Sequence, residues 1–218
     1  MLLAFDTSGP HCTTVLAAQD GSVIAMRSEE IGRGHAEHLM GFAQDVLAQG
    51  GARWSDLTCI GCTTGPGSFT GLRVGLATAQ GLALALKKPG VGVSVFEVLA
   101  RACLDTKDPH PFCIVQDARR EQVYLQTFNA SGQPMAAPCV VDLTQLAKEI
   151  PTSITRVAGT GAQMAAMRRG DLQVLDMDPY PTPQNLATAC AAAPKEASLS
   201  PLYLRSADAK PQRAVAQL

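Results

Sequence analysis

The sequence predicts an α/β fold of two related subdomains, each a mixed sheet flanked by helices. The chain opens with three short apolar segments joined by tight turns, which is typical of an antiparallel meander. Strand-like and helix-like segments then alternate, as they do in α/β proteins. After residue 111 the opening pattern of strand, acidic turn and strand is repeated, which indicates two related halves. A chain of 218 residues can bury two small cores.

Apolar periodicity locates the elements of the first half. The helix expected over residues 34–49 places Leu39, Phe42 and Val46 on one face, and Gly50 with Gly51 ends it. A glycine-rich loop over 65–71 separates a buried strand from the next helix. The predicted strands are 2–5, 13–18, 23–28, 57–64 and 91–95, and the predicted helices are 34–49, 72–86 and 96–104.

The polar, proline-containing segment 105–111 is the predicted domain boundary, because the apolar pattern restarts directly after it. It divides the chain into subdomains 1–104 and 105–218, and the tail after about residue 200 could pack back on the first. In the second half the predicted strands are 112–116, 122–128 and 154–158, and the predicted helices are 143–150, 162–169 and 185–193.

Charge and composition exclude several classes of protein. The formal net charge is -1 with no basic run, whereas a chain that grips nucleic acid alone usually carries a basic field. Seven cysteines without a disulfide-scaffold spacing indicate a reducing compartment. The N-terminus lacks a basic region and meets Asp6, so no signal peptide is expected. The longest apolar segment, 72–86, contains Arg73 and Gln80 and is too short to span a bilayer. We expect a cytoplasmic protein without membrane contact.

The segment from Thr63 to Arg73 carries the strongest local signal, since three glycines lie between a buried strand and a helix. Glycine permits positive φ and close backbone approach, and a helix N-terminus can hold an anion. A phosphate cradle is therefore possible, although no Lys-Ser/Thr pair follows the last glycine as in a P-loop. The alternative is a tight connection whose helix is capped by Ser68 or Thr70.

Acidic turns follow the first strand of each half, at Asp6 and at Asp117. They are similar to the acidic turns of sugar-kinase and actin-like ATPases. A backbone that approaches a phosphate needs glycine directly after the acid, and neither turn has one. The sequence thus favours a former nucleotide cleft without catalytic residues. Its candidate residues are Asp6, Thr7, Ser8, Gly65, Gly67, Ser68, Asp117, Gly159 and Gly161.

The histidine, cysteine and serine side chains do not predict a metal site or a hydrolase site. His35 and His38 share a helical face, but no third metal ligand is evident, so surface or interface histidines are expected and no metal. Cys59 and Cys62 lie three apart in a strand and point to opposite faces, which predicts structural thiols. No Ser-His-Asp or Cys-His arrangement indicates a hydrolase.

Two helices of the first half are predicted to form a partner interface. Small residues at four-residue spacing on the 72–86 helix would let another helix approach closely. Packing inside the chain explains the same pattern. The residues predicted for the interface are His35, Leu39, Phe42, Val46, Gly75, Ala79 and Ala83.

The loop Gly65-Pro66-Gly67-Ser68-Phe69-Thr70-Gly71-Leu72-Arg73 closely resembles the hallmark of the TsaB (YeaZ) family. Further landmarks follow in the family's order over essentially the whole chain. Gln122 departs from the pattern, since the family usually has glutamate before Val-Tyr. The matching landmarks are Asp6-Thr7-Ser8, Arg33 with His35 and Glu37, Asp117-Ala118-Arg119, Val123-Tyr124, Gly159-Thr160-Gly161, and Pro201 with Tyr203-Leu204-Arg205.

The resemblance implies an actin-like ATPase (RNase H-like) fold and a non-catalytic subunit. Such a subunit pairs with a TsaE-like ATPase and with a catalytic TsaD-like protein. The TsaD-like protein transfers threonylcarbamoyl to the adenosine beside the anticodon of tRNA. The resemblance further implies contact with tRNA only through the complex, and a possible homodimer when alone. No cofactor of its own is expected, although ATP or ADP could bind at a subunit interface. An actin-fold ATPase or kinase with its own turnover, and a peptidase, are the alternatives.

Overall fold

Two five-stranded mixed sheets with flanking helices form the molecule in the computed structural model, which describes residues 1–104, 110–194 and 197–205. The predicted α/β class with two subdomains of mixed sheet is confirmed. Residues 105–109 of the predicted boundary, and the tail beyond residue 205, lie outside the described part.

The central strands of the first sheet are buried at nearly every residue, because helices cover both faces of the sheet. Strand β2 is antiparallel to β1 and β3, while β1, β4 and β5 are parallel. The order across the sheet is β3-β2-β1-β4-β5. These strands are β1 (Leu2–Asp6), β2 (His11–Ala17), β3 (Val23–Glu30), β4 (Cys59–Gly65) and β5 (Gly90–Ser94).

The second sheet repeats this connectivity. Its order is β10-β9-β6-β7-β8, so its first strand is again central and its next two strands run antiparallel on one side. Strands β8 and β10 were not predicted, because edge strands of four and two residues leave no periodic signal. The strands are β6 (Phe112–Asp117), β7 (Gln122–Phe128), β8 (Cys139–Asp142), β9 (Arg156–Ala158) and β10 (Gln173–Val174).

The helices form layers around the sheets. Helices α1 and α2 cover one face of the first sheet, and α3 and α6 pack on its other face. Helix α3 also contacts the second sheet, and α4 and α5 cover the far face of that sheet. Helix α2 begins three residues earlier than predicted because the Ser68 side chain caps it, accepting from Gly71 N at 3.3 Å. The helices are α1 (His35–Gln49), α2 (Phe69–Leu86), α3 (Val95–Leu104), α4 (Leu146–Glu149), α5 (Ala162–Arg168) and α6 (Pro183–Ala192).

Because of this earlier start, α2 has 18 residues and a mean hydropathy of 1.3. By length and composition alone it could cross a membrane, so the expectation that this segment is too short is wrong. Only 28% of its residues are fully buried inside the chain.

The last described residues, 197–205, form a strap that touches both sheets. Gly92 N donates to Ala197 O at 3.2 Å, and Leu202 N donates to Thr64 O at 2.8 Å, both on the first sheet. The Arg205 guanidinium then donates to the Gln122 side chain at the start of β7. Helix α6, which belongs to the C-terminal half of the chain, also packs on the first sheet. The C-terminal half therefore helps to cover the first sheet as well as forming the second.

Candidate functional site

A cleft of about 550 Å³ lies between the two sheets, at the carboxyl ends of β1, β4, β6 and β9. In open α/β sheets this edge is where ligands bind. Four of the nine residues predicted for a former nucleotide site line the cleft, namely Ser8, Gly67, Ser68 and Asp117. The other lining residues are Gly9, Pro10, Gly32, Pro66, Val95, Gln116, Ala118, Arg119, Tyr124, Thr160, Tyr180 and Pro181.

The glycine-rich loop is closed against the β1 turn by the chain's own backbone. Ser68 N donates to Ser8 O at 2.7 Å, and the Thr7 hydroxyl donates to Gly71 O at 2.7 Å. A Cβ on Gly67 would lie 2.3 Å from Ser8 O, and one on Gly71 would lie 2.1 Å from Thr7 O. These glycines therefore allow the loop to approach the turn closely.

Asp6 lies under this loop and is 1% exposed. Its carboxylate accepts from the Thr63 hydroxyl at 2.5 Å and from Ser8 N at 3.2 Å. Burial raises the pKa of the Asp6 carboxyl above its ordinary value, although the hydrogen bonds from Ser8 and Thr63 act in the opposite direction. An acid held in this way cannot reach a ligand or a metal ion in the cleft.

The turn at residues 159–161, which contributes two of the predicted nucleotide-site residues, also packs on its own chain. Gly161 N donates to Val115 O at 2.9 Å, and a Cβ on Gly159 would lie 2.5 Å from the same oxygen. The Thr160 hydroxyl donates to Gln116 Oε1 at 2.7 Å and accepts from Asp117 N at 2.9 Å. Only the Thr160 side chain of this turn faces the cleft.

Asp117 holds the second acidic turn at the cleft rim. Its carboxylate accepts from Arg119 N at 2.7 Å and pairs with the Arg119 guanidinium at 3.2 Å. Arg119, Arg120 and Glu121 all have positive φ, of 62, 55 and 58 degrees. The left-handed conformation costs roughly 1–2 kcal/mol for each residue that carries a Cβ. Asp117 thus helps to hold a strained turn, and both its oxygens are used within the chain.

The predicted histidine and cysteine pairs do not line the cleft. His35 Nε2 is 3.2 Å from His11 O, while His38 is exposed beside Phe42, with ring centroids 6.1 Å apart. Cys62 and Cys59 contact the cores on opposite faces of the sheet, as predicted, and burial raises the pKa of the Cys62 thiol well above its ordinary value. Within the described ranges, no three His, Cys, Asp or Glu residues are placed to hold a metal ion.

Comparisons with known proteins identify the family. A family model described as TsaD: tRNA N6-adenosine threonylcarbamoyltransferase matches residues 23–202. An uncharacterized Mycobacterium tuberculosis protein is 32% identical over 212 residues, covering 96% of this chain and 94% of that protein. Two Pseudomonas aeruginosa structures cover 94% and 93% of this chain and 99% of their own: one with similarity to peptidase YeaZ (TM-score 0.79, 28% identity) and YeaZ itself (TM-score 0.76, 27% identity). The chain belongs to this TsaD-like family, as a TsaB (YeaZ) member.

Named TsaB proteins match a shorter part of the chain. The Escherichia coli tRNA threonylcarbamoyladenosine biosynthesis protein TsaB is 35% identical over 123 residues. This match covers 56% of the present chain and 52% of the E. coli protein. The alignment therefore spans about half the length of the TsaB relative.

The residues predicted for a partner interface in this TsaB member lie in its own core. Leu39 is 1% exposed, Phe42 is 2% exposed, and Val46 and Ala79 are fully buried. His35 and Gly75 are buried as well, and Ala83 is half-buried. These side chains pack α1 and α2 onto the first sheet, so their assignment to a partner surface is corrected. Small residues serve here to bring α2 close to β1, since a Cβ on Gly75 would lie 2.4 Å from Thr7 Oγ1.

The opposite face of α2 is exposed and mostly apolar, which the sequence analysis missed. Leu84 is 81% exposed and Phe69 is 45% exposed, and a Cβ on Gly81 would meet nothing within 4 Å. Ala77 and Ala85 lie on the same exposed face. The sequence did contain a signal of this exposed face, because apolar residues occur on all sides of the helix. A helix that is apolar all round is covered on all sides or lies in a membrane.

Proposed function

We propose that this chain is the non-catalytic subunit of a complex that makes threonylcarbamoyladenosine in tRNA. It would pair with a TsaD-like catalytic subunit, and a TsaE-like ATPase would join them. The proposal rests on the TsaB relatives, whose names describe tRNA threonylcarbamoyladenosine biosynthesis. We expect a cytoplasmic protein that contacts tRNA only as part of the complex.

The observation that carries the non-catalytic role is the closure of the glycine-rich loop. Ser68 N, a donor that could bind a phosphate oxygen, is already bonded to Ser8 O at 2.7 Å. Asp6, the acid nearest to that loop, is buried and bonded to Thr63 and Ser8. A phosphoryl transfer site needs free donors and metal-binding acids around the phosphates. A nucleotide in the complex would therefore bind at a subunit interface, with groups supplied by a partner.

The exposed apolar face of α2 supports a partner-bound role. Monomeric soluble proteins rarely leave large contiguous apolar patches uncovered, and such patches mark interaction sites. Here only 28% of the residues of an 18-residue apolar helix are fully buried within the chain. We propose that the catalytic subunit covers this face, and that a second copy of the chain covers it when the catalytic subunit is absent.

Reconstitution with a TsaD-like subunit tests the proposal. Formation of threonylcarbamoyladenosine in tRNA should require this chain, and the two proteins should sediment together in analytical ultracentrifugation. Leu84→Arg should abolish pairing while circular dichroism stays unchanged, because the side chain is exposed in the free chain. Burying an unpaired cation in the interface costs several kcal/mol. Met167→Arg is the matched control, since Met167 is 83% exposed on α5 in the other subdomain.

Two outcomes would contradict the proposal. One is full modification activity from the other subunits without this chain. The other is normal sedimentation of both variants with the TsaD-like subunit, which would remove α2 from the interface.

A further inference from the structure

An exposed cluster of one arginine and two aromatic rings stands at the N-terminal end of α2. The Arg73 guanidinium carbon lies 3.7 Å from the centroid of the Phe69 ring. Arg73 Nε donates to the Tyr203 hydroxyl at 3.2 Å, and the two rings are 5.6 Å apart. Phe69 and Tyr203 are 45% and 46% exposed. The strap and the helix thus hold one guanidinium in a defined orientation at the surface.

This guanidinium contributes little to the fold of the free chain. Arg73 is the only charged residue of α2, and it lies toward the positive end of the helix dipole, where a cation is not favoured. Within the part of the chain that the structure describes, no carboxylate forms an ion pair with Arg73. The stacking contact with Phe69 uses one face of the guanidinium, and the hydrogen bond to Tyr203 uses Nε. Both terminal nitrogens of Arg73 therefore remain available to a binding partner.

We propose that Arg73 binds a carboxylate of the protein that docks on α2, and so determines which partner the helix accepts. A guanidinium fixed by stacking has lost side-chain freedom before binding, so it binds a carboxylate in fork geometry at low entropic cost. Arginine and aromatic residues are also enriched among the side chains that dominate binding at interfaces. The inference rests on the proposed function, and it specifies the chemistry of the partner surface.

The surroundings of Arg73 favour a protein carboxylate over an RNA phosphate. Along the helix the cluster continues into Ala77, Gly81 and Leu84, an apolar surface with small residues that suits a partner helix. A nucleic-acid surface would carry several cations, whereas α2 carries one and the whole chain has a net charge of -1. The partner should therefore present an apolar helix with one acidic residue near its contact with Phe69.

Charge reversal tests the inference in the complex with the TsaD-like subunit. We expect Arg73→Glu to weaken pairing by about 30-fold or more, because truncated or reversed buried charge pairs show losses of this size. Arg73→Lys should weaken pairing less, since lysine keeps the positive charge but lacks the fork geometry of the guanidinium. Raising the salt concentration should weaken the wild-type pair more than the Arg73→Gln pair. Arg101→Glu, an exposed reversal on α3, is the matched control and should pair as wild type.

The outcomes separate this inference from the proposed function. If Arg73→Glu pairs as wild type while Leu84→Arg does not, the carboxylate contact is wrong and the docking face stands. If wild type itself fails to pair with the TsaD-like subunit, both are overturned. If Arg73→Glu pairs normally but the complex loses tRNA affinity in a fluorescence titration, the arginine binds phosphate and the inference fails. Restored pairing of Arg73→Glu with an acid-to-lysine variant of the partner would establish the contact.

Discussion

At the scale of single residues, Asp6 shows how burial changes what an acid can do. Its folded-state pKa is raised, so protonation favours the folded state. The contribution to stability is fully present below the ordinary aspartate pKa of about 4, and is lost as the pH rises through the raised value. Asp6→Asn stays neutral at every pH. We therefore expect the free energy of unfolding of the variant, relative to wild type, to increase with pH.

Urea unfolding of both proteins at a series of pH values from about 4 to 8 measures this difference. Asp20→Asn is the control with the opposite sign, because hydrogen bonds from Ser22 lower the pKa of the exposed Asp20 carboxyl. The lowered pKa of Asp20 stabilises the folded protein at pH values above the ordinary aspartate pKa, and this stabilisation is lost as the pH falls. A pH-independent difference for Asp6→Asn would show that its carboxyl titrates normally.

Thr14 offers a second prediction at this scale. Its hydroxyl is buried and has no hydrogen-bond partner among the residues that the structure describes. An unsatisfied buried polar group costs about 1–3 kcal/mol. Thr14→Val has nearly the same shape, so we expect it to be neutral or to stabilise the protein by about 1 kcal/mol. Thermal and urea unfolding measure the change.

Thr63→Val is the matched control for Thr14→Val. The Thr63 hydroxyl is equally buried but donates to the Asp6 carboxylate at 2.5 Å. Removing this donor should destabilise the protein by roughly 1–3 kcal/mol. Equal effects of the two substitutions would contradict the assignment of Thr14 as unsatisfied.

At the scale of one element, α2 combines two kinds of glycine. Gly71 lies against the β1 turn, and a Cβ there would be 2.1 Å from Thr7 O, whereas a Cβ on Gly81 would meet nothing within 4 Å. Gly81→Ala should stabilise the isolated chain by about 0.5–1 kcal/mol, because alanine favours helix. Gly71→Ala should destabilise it by about 1–3 kcal/mol through overpacking. Urea unfolding of both variants measures the contrast, and a change of the same sign in both would refute it.

At the scale of the whole molecule, two sheets of the same connectivity face one cleft. Two backbone donors of the turns around this cleft are used within the chain, since Ser68 N is bonded to Ser8 O and Gly161 N is bonded to Val115 O. We therefore expect the isolated chain to release phosphate from ATP far more slowly than the common enzyme range of about 1 per second. A steady-state phosphate-release assay measures this rate. Turnover near that range, abolished by Asp117→Ala, would establish an ATPase instead.

Much of this architecture was predictable because it depends on short-range patterns. The central strands and the long helices carry a clear apolar pattern, whereas the sequence left the cap of α2 open between Ser68 and Thr70. The edge strands β8 and β10 are short and only partly buried, so their residues carry no such signal. For the cleft, the sequence located the acidic turns but could not show that Gly67 approaches Ser8, which is 59 residues away in the chain.

The sequence by itself determined the family, the α/β class and the repeated halves, because these follow from local motifs and their order. Only the tertiary structure decided which face of each helix is internal. Helix α2 is apolar all round, so periodicity could not show that Gly75 and Ala79 face the sheet while Leu84 and Arg73 face outward. Burial of a helix face depends on which elements pack against it, and β1 and α1, which both contact α2, come from earlier segments separated from it in the chain. For this physical reason, the predicted partner residues became core and the exposed cluster around Arg73 emerged only from the fold.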